Sequence, residues 1–193
     1  MMQSLLELMV FVLLVAVCIN FWMTLRIARI VREAPEPQDL PFTTDIGRPA
    51  PAWQGTRLAT GDGFSSGATI GRPTVLVFLS SGCVDCRKRL PELVAMQPAV
   101  RQAGIELLVV GMESERRLRA FVGGTPLLEH VVVIDRKARS LLNPRNSSPF
   151  YLFIDDEGIV QASNFIGDRN WEVFVDQMHE YDPAPSSEVA DAT

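Results

Sequence analysis

Cys83 and Cys86, separated by Val84 and Asp85, are the residues of this chain best equipped for chemistry. Two intervening residues let the two sulfurs meet across one helical turn. Such a pair can cycle between dithiol and disulfide without large backbone movement. A thiol at a helix start also ionises more readily, because the free N–H groups and the helix dipole stabilise an anion there. The same spacing occurs as half of a structural zinc site, which needs a second pair of Cys or His ligands. The remaining cysteine, Cys18, lies in an apolar segment, and His130 and His179 lack ligand spacing. Redox chemistry is therefore expected, with no metal and no cofactor. Asp85 is a negative charge between the thiols and raises a neighbouring thiol pKa, whereas Arg87, one turn after Cys83, opposes it. The residues alone leave open which of these two tuning candidates dominates. Arg87, Lys88 and Arg89 otherwise read as a solvated helix face.

The elements that must position the pair follow from pattern. Val75 to Leu79 is an apolar, β-rich run of the kind buried on both faces of a sheet. Ser80, Ser81 and Gly82 break it, and a helix is expected to start at the cysteines and end near Gly104. Ile105 to Gly111 reads as a second buried strand, and Glu113 to Val122 as an amphipathic helix with Arg116, Arg117 and Arg119 solvated. A third strand is expected over His130 to Asp135, and a short helix over Arg136 to Leu142. Asn146 to Pro149 is a loop, Phe150 to Asp155 a strand, Asp156-Glu157-Gly158 a turn, and Ile159 to Ala162 another strand. Trp171 to Tyr181 forms the terminal helix. Upstream, Trp53 to Ile70 reads as a hairpin turned at Gly61-Asp62-Gly63. Taken by itself, Pro149 is a turn proline opening a strand, since few X–Pro bonds are cis.

Length suits one domain of about 150 residues plus extensions. The net charge of −5 and the lack of a basic block argue against nucleic acid as a partner. Leu8 to Leu25 carries no charge, and with Leu5 and Leu6 it approaches the roughly 20 apolar residues that span a bilayer. Trp22 sits near one end, and Arg26, Arg29 and Arg32 close the segment. A cleaved signal peptide should start basic, but this chain has Glu7 and no Lys or Arg before the apolar run. A lipoprotein signal is opposed by the bulky Val17 before Cys18. The expectation is a single-pass anchor over residues 1–32 that meets the lipid bilayer through Leu5–Leu25, with Cys18 facing lipid. Residues 33–46, holding Pro35, Pro37 and Pro41, read as an extended linker. Residues 47–181 form the folded domain and 182–193 a disordered tail.

From Gly47 to Tyr181 this arrangement resembles the thioredoxin superfamily, and within it the membrane-anchored TlpA-like thiol:disulfide oxidoreductases. Gly47-Arg48-Pro49-Ala50-Pro51 resembles the Gly-x-x-Ala-Pro lead-in of the TlpA-like and peroxiredoxin branches. Phe78-Leu79-Ser80, Ile154 to Val160 and Gly167 to Trp171 are most similar to the methylamine-utilisation, MauD-like branch. The resemblance implies an α/β thioredoxin-like fold, a central mixed sheet flanked by helices, with one N-terminal transmembrane helix. It implies Cys83 as nucleophile and Cys86 as resolving thiol. Pro149 would be a cis proline, with Ser148 pairing with the substrate backbone. Pro91 matches the family's helix-kinking proline. The implied partners are a disulfide-containing client protein and a membrane electron-transfer protein. The implied place is the extracytoplasmic side of the cell inner membrane, against the positive-inside rule applied to Arg26, Arg29 and Arg32. The branch is associated with maturation of a disulfide-rich, methylamine dehydrogenase-like enzyme or a cytochrome.

This chain departs from the pattern at Gly82, where thioredoxins place Trp, and at Asp85, where many relatives place Pro. Arg89 stands where some reductive relatives carry a Glu that helps the buried thiol lose its proton. Three rival readings accompany the main one. A peroxidase would need Pro-x-x-x-Thr-x-x-Cys, but Leu76 lies seven positions before Cys83. A copper-binding module would use Cys-x-x-x-Cys and a distal His, for which His130 is the one candidate. A non-catalytic scaffold would keep the cysteines as a relic.

Overall fold

A computed structural model describes residues 2–33, 44–111 and 113–180 of the chain. It divides into two compact units, residues 1–40 and 41–193. The expected tail over 182–193 and most of the expected linker over 33–46 lie outside the described residues.

In the first unit, helix α1 runs over Met2–Glu33. Met9–Arg26 within it has a mean hydropathy of 2.0 and is long and apolar enough to cross a membrane. The side chains of this stretch are exposed throughout, and Arg26 lies over the Trp22 ring, 5.5 Å from the centroid. Length and composition alone are equally those of a membrane anchor and of a signal sequence.

The second unit is built on one seven-stranded mixed sheet. Its elements in chain order are β1 Gln54–Arg57, β2 Gly63–Ser65, β3 Thr74–Phe78, α2 Val84–Gln102, β4 Glu106–Gly111 and α3 Glu115–Val122. There follow β5 Val131–Ile134, α4 Arg136–Leu142, β6 Phe150–Ile154, β7 Val160–Phe165 and α5 Arg169–Glu180. Across the sheet the order is β2-β1-β5-β4-β3-β6-β7. β3, β4 and β5 run parallel, while β6, β7 and the β1–β2 hairpin are antiparallel. This is the expected α/β thioredoxin-like architecture.

β3 is buried at every position because it sits inside the sheet and both faces are covered. Its side chains alternate. Val75, Val77 and Leu79 join Cys86, Leu90, Leu93, Trp171 and Phe174 in one core. Leu76 and Phe78 join Trp53, Ala138, Leu142 and Phe150 in the other. Helices α2 and α5 therefore cover one face and α4 the other, and β3 ends with its C-terminus carrying the cysteine loop between the layers. Gly55 lets β1 lie against β5: a Cβ there would meet the Val133 carbonyl oxygen at 2.6 Å.

Some boundaries differ from the sequence expectation. α2 is not among them, since it runs through Pro91 and Pro98 to Gln102, close to the expected end near Gly104. β7 runs to Phe165, three residues past Ala162, because its pairing with β6 extends to Phe150↔Phe165. α3 starts at Glu115, leaving Glu113 outside the helix for a role described below.

The start of α5 is fixed by Asp168. Its carboxylate accepts from the Trp171 backbone N–H at 2.9 Å and from the Tyr151 hydroxyl at 2.9 and 3.1 Å. Burial, followed by the bond to Asp168, pushes the Tyr151 pKa up. Asp168→Ala removes a helix cap and takes the carboxylate partner from a hydroxyl on a buried ring. It is expected to cost about 2–3 kcal/mol in chemical denaturation, with Asp168→Asn recovering part of the loss.

Candidate functional site

The site lies where β3 ends. The chain leaves Leu79, turns through Ser80–Gly82, and enters α2 with Cys83 as the N-cap residue. Cys83 has extended backbone angles, and its sulfur accepts the Cys86 backbone N–H at 3.1 Å. A cap position normally filled by an oxygen is thus filled by sulfur, so a negative charge on Cys83 meets an unsatisfied helix N–H directly. Cys83 is half-buried, and Cys86 is fully buried in the core beneath it.

Ser148 and Pro149 lead into β6, the strand paired antiparallel beside β3, with Phe150 opposite Phe78. The Ser148–Pro149 peptide is cis, and the Cys83 thiol faces the Ser148 carbonyl oxygen at 3.7 Å. Cys83, Cys86 and Ser148 are therefore gathered at one spot from segments 65 residues apart. Pro149 also lines a cavity of about 510 Å3, with Asp85, Lys88, Arg89, Glu92, Phe165 and Ile166.

The two tuning candidates turn elsewhere. Asp85 is held by Lys88 at 2.8 Å, and that hydrogen bond and charge hold its carboxyl below its usual range. Arg87 reaches back to the Ser81 carbonyl oxygen at 3.1 Å. Both are exposed, so solvent screens their effect on the sulfurs. Burial, not either of them, governs the inner thiol: desolvation, followed by the bond to Cys83, pushes Cys86 up to about 11. Chemically, the arrangement offers an accessible sulfur held against a helix N–H and a second sulfur held neutral behind it. His130 does not join these cysteines in any metal-like cluster among the described residues.

Three residues of the site carry no signal strong enough to single them out in the sequence. Glu113 accepts from the Ser80 hydroxyl at 2.7 Å, from the Ser81 backbone N–H at 2.8 Å, and from the Ser81 hydroxyl. One carboxylate thus fixes the turn that delivers Cys83. Burial alone would raise the Glu113 pKa, but the serine hydrogen bonds outweigh it and hold the carboxyl below its usual range. The stability it contributes is thus present above the ordinary Glu pKa and lost as pH falls through the depressed value. Glu113→Ala is expected to cost about 2 kcal/mol and to slow thiol exchange several-fold, with Glu113→Gln intermediate; denaturation and alkylation kinetics check both.

Asn143, fully buried, clamps the other loop. Its amide donates to the Ser147 carbonyl at 2.7 Å and accepts the Ser147 N–H at 3.0 Å. The third is Arg139, buried at 5% exposure beside Phe78. Faint signals for the first two lie in the serines before the cysteines and the Asn before the proline loop, each without a visible partner in sequence.

Arg89, at the position where an acid would sit, pairs with Glu92 at 2.7 Å. Glu92 in turn accepts the Trp171 indole N–H at 2.7 Å. Arg89 also packs against Gly167, whose positive φ of 101° disfavours any side chain and where a Cβ would push the guanidinium aside.

A sequence profile of the AhpC/TSA family matches residues 46–163, from the lead-in through β7 and both cysteines. The chain belongs to the AhpC/TSA family. Solved structures share the fold. The thioredoxin domain of a thiol-disulfide oxidoreductase from Bacteroides vulgatus is 19% identical with a TM-score of 0.58. The match covers 70% of this chain and 99% of that one. A thiol:disulfide interchange protein from Bacteroides sp. is 21% identical with a TM-score of 0.59, covering 70% and 91%. The reduced 2-Cys peroxiredoxin of Plasmodium vivax is 18% identical with a TM-score of 0.54, covering 71% and 96%. No curated protein sequence matches this chain. The shared fold thus accommodates both thiol:disulfide interchange proteins and a peroxiredoxin, and the choice between them rests on the site.

Proposed function

We propose that this chain is a membrane-tethered thiol:disulfide oxidoreductase of the TlpA-like, MauD-like kind. Residues 1–32 anchor it, residues 33–46 tether it, and residues 47–181 act on extracytoplasmic client proteins at the inner membrane. The observation that carries the reading is the layered pair: Cys83 capping α2 at the surface, with its sulfur on the Cys86 N–H, and Cys86 fully buried behind it. The Cys83 thiolate attacks a client disulfide, forming a mixed disulfide and releasing one client thiolate. Cys86 then attacks the Cys83 sulfur, releases the second client thiol, and leaves the Cys83–Cys86 disulfide. Two electrons pass to the client and are restored by an external dithiol, for which a membrane electron-transfer protein is the fitting donor. Ser148 and Pro149 lie beside the attacking sulfur, where a client backbone would run. Maturation of a disulfide-rich dehydrogenase subunit or of a cytochrome fits this role.

A peroxidase is the second reading, favoured by the family match. Against it, Leu76 and Ser80 occupy the places of the Pro and Thr that shield and activate a peroxidatic cysteine. The full reduced chain in detergent is expected to reduce insulin disulfides in the presence of a dithiol donor and to leave hydrogen peroxide unconsumed. Peroxide turnover without insulin reduction would reverse the assignment, and neither activity would leave the scaffold reading.

A further inference from the structure

Arg139 has a place in the fold that the exchange chemistry does not use. It lies on α4, on the face of the sheet opposite α2. It is 5% exposed, with its guanidinium 6.0 Å from the centre of the Phe78 ring. Its Nε atom has no hydrogen-bond partner. The ion pairs among the described residues engage Arg57, Arg72, Lys88 and Arg89, not Arg139. A guanidinium stays charged in a protein, and burial disfavours that charge here; Glu113 opposes the penalty through space, but its carboxylate is held by Ser80 and Ser81 and makes no ion pair with Arg139, so the buried fork has no anion in contact.

Space for such an anion is present. A cavity of about 300 Å3 is lined by Arg136, Arg139, Ser140, Asn143 and Asn146, with no carboxylate among them. Ser140 gives its proton to the Arg136 carbonyl and the fully buried Asn143 gives one amide N–H to Ser147, which leaves Arg139, Arg136 and Asn146 as the main donors. We propose that this cavity is a carboxylate-binding site, with Arg139 as the buried fork and Arg136 and Asn146 at its mouth. One buried guanidinium balances one charge and matches a planar carboxylate in bidentate fashion. A phosphate dianion would depend for its second charge on the exposed Arg136. The carboxylate comes either from an acidic residue of a docked polypeptide or from a small free acid. Because Asn143 grips Ser147, an occupant abuts the loop that carries Ser148 to the redox pair.

The test is calorimetric titration of the full chain in detergent with acetate, with succinate and with inorganic phosphate at constant ionic strength. A glutamate-bearing peptide and its glutamine twin form the second arm. Saturable carboxylate binding is expected, weakened about ten-fold or more in Arg139→Met. Arg139→Lys keeps the charge but not the fork, so it guards against a folding defect and is expected to lose several-fold. Tighter binding of the glutamate peptide than of acetate, absent in the glutamine twin, supports a polypeptide source. Equal affinity for succinate supports a free acid. No saturation by any carboxylate, wild-type affinity in both Arg139 variants, or preference for phosphate would each overturn the proposal.

Discussion

Cys86→Ala is expected to turn the chain from a catalyst into a trap. Cys83 keeps its cap position and its access to solvent, so attack on a client disulfide proceeds, but no second thiol remains to resolve the mixed disulfide. Cys83→Ala removes the attacking group and is expected to lower disulfide-exchange turnover by at least about 1,000-fold. It should capture nothing, because Cys86 is fully buried. The two variants are compared by non-reducing gel after incubation with a disulfide-containing polypeptide. A reducible, higher-mass adduct is expected with Cys86→Ala alone. An adduct on Cys86 in the Cys83 variant instead would mean that the roles of the two sulfurs are exchanged. The asymmetry rests on burial and capping: the two residues are chemically identical, and only one is both reachable and pinned to a helix N–H.

Much of this site is legible in the order of the residues. The apolar run before Cys83 requires a strand buried on both faces, and the break at Ser80–Gly82 requires the cysteines to open a helix. Periodicity and turn residues carry that information locally, which is why α4 falls on Arg136–Leu142 as the pattern predicts. What reaches in from a distance leaves no such local mark. Glu113 lies 32 residues from Ser81, and along the chain it is one more acidic residue at a helix start. Only when β4 pairs with β3 in parallel does its carboxylate come to rest against the serine turn. Asp85 and Arg87 mislead in the opposite direction. Their proximity in sequence to the sulfurs suggests tuning, but helical geometry sends Asp85 to Lys88 and Arg87 back to Ser81, on the wet side of the helix. Arg139 is the extreme case: a cation on a short helix reads as solvated, and it is buried because α4 lays that face on Phe78.

Raising the pH is expected to weaken the reduced protein and to speed the resolving step, for the same reason. Burial, followed by the bond to Cys83, raises the Cys86 pKa from 9.0 to about 11, so the folded state favours the neutral thiol. Since the folded pKa lies above the unfolded one, the stabilisation is complete below about pH 9 and drains away as pH rises through about 11. Across that window the loss amounts to roughly 2–3 kcal/mol, and the oxidised protein, which has no Cys86 proton to lose, should not share it. Urea denaturation of both redox forms at pH 8 and pH 10.5 measures the difference. At pH 7 a thiol of this pKa is ionised in roughly one molecule in ten thousand, so release of a trapped client should accelerate close to ten-fold per pH unit from 7 to 9. Once Cys83 is bonded to a client, its own contribution to the raised pKa is gone, while the Ser80 and Ser148 hydrogen bonds that pull the other way remain. The rise should therefore level off below pH 11 in the mixed disulfide, yet persist to about 11 when Cys86 is titrated by alkylation in the free dithiol. A resolving rate that is flat between pH 7 and 9 would require a base beside Cys86 that Arg89, paired to Glu92, cannot be.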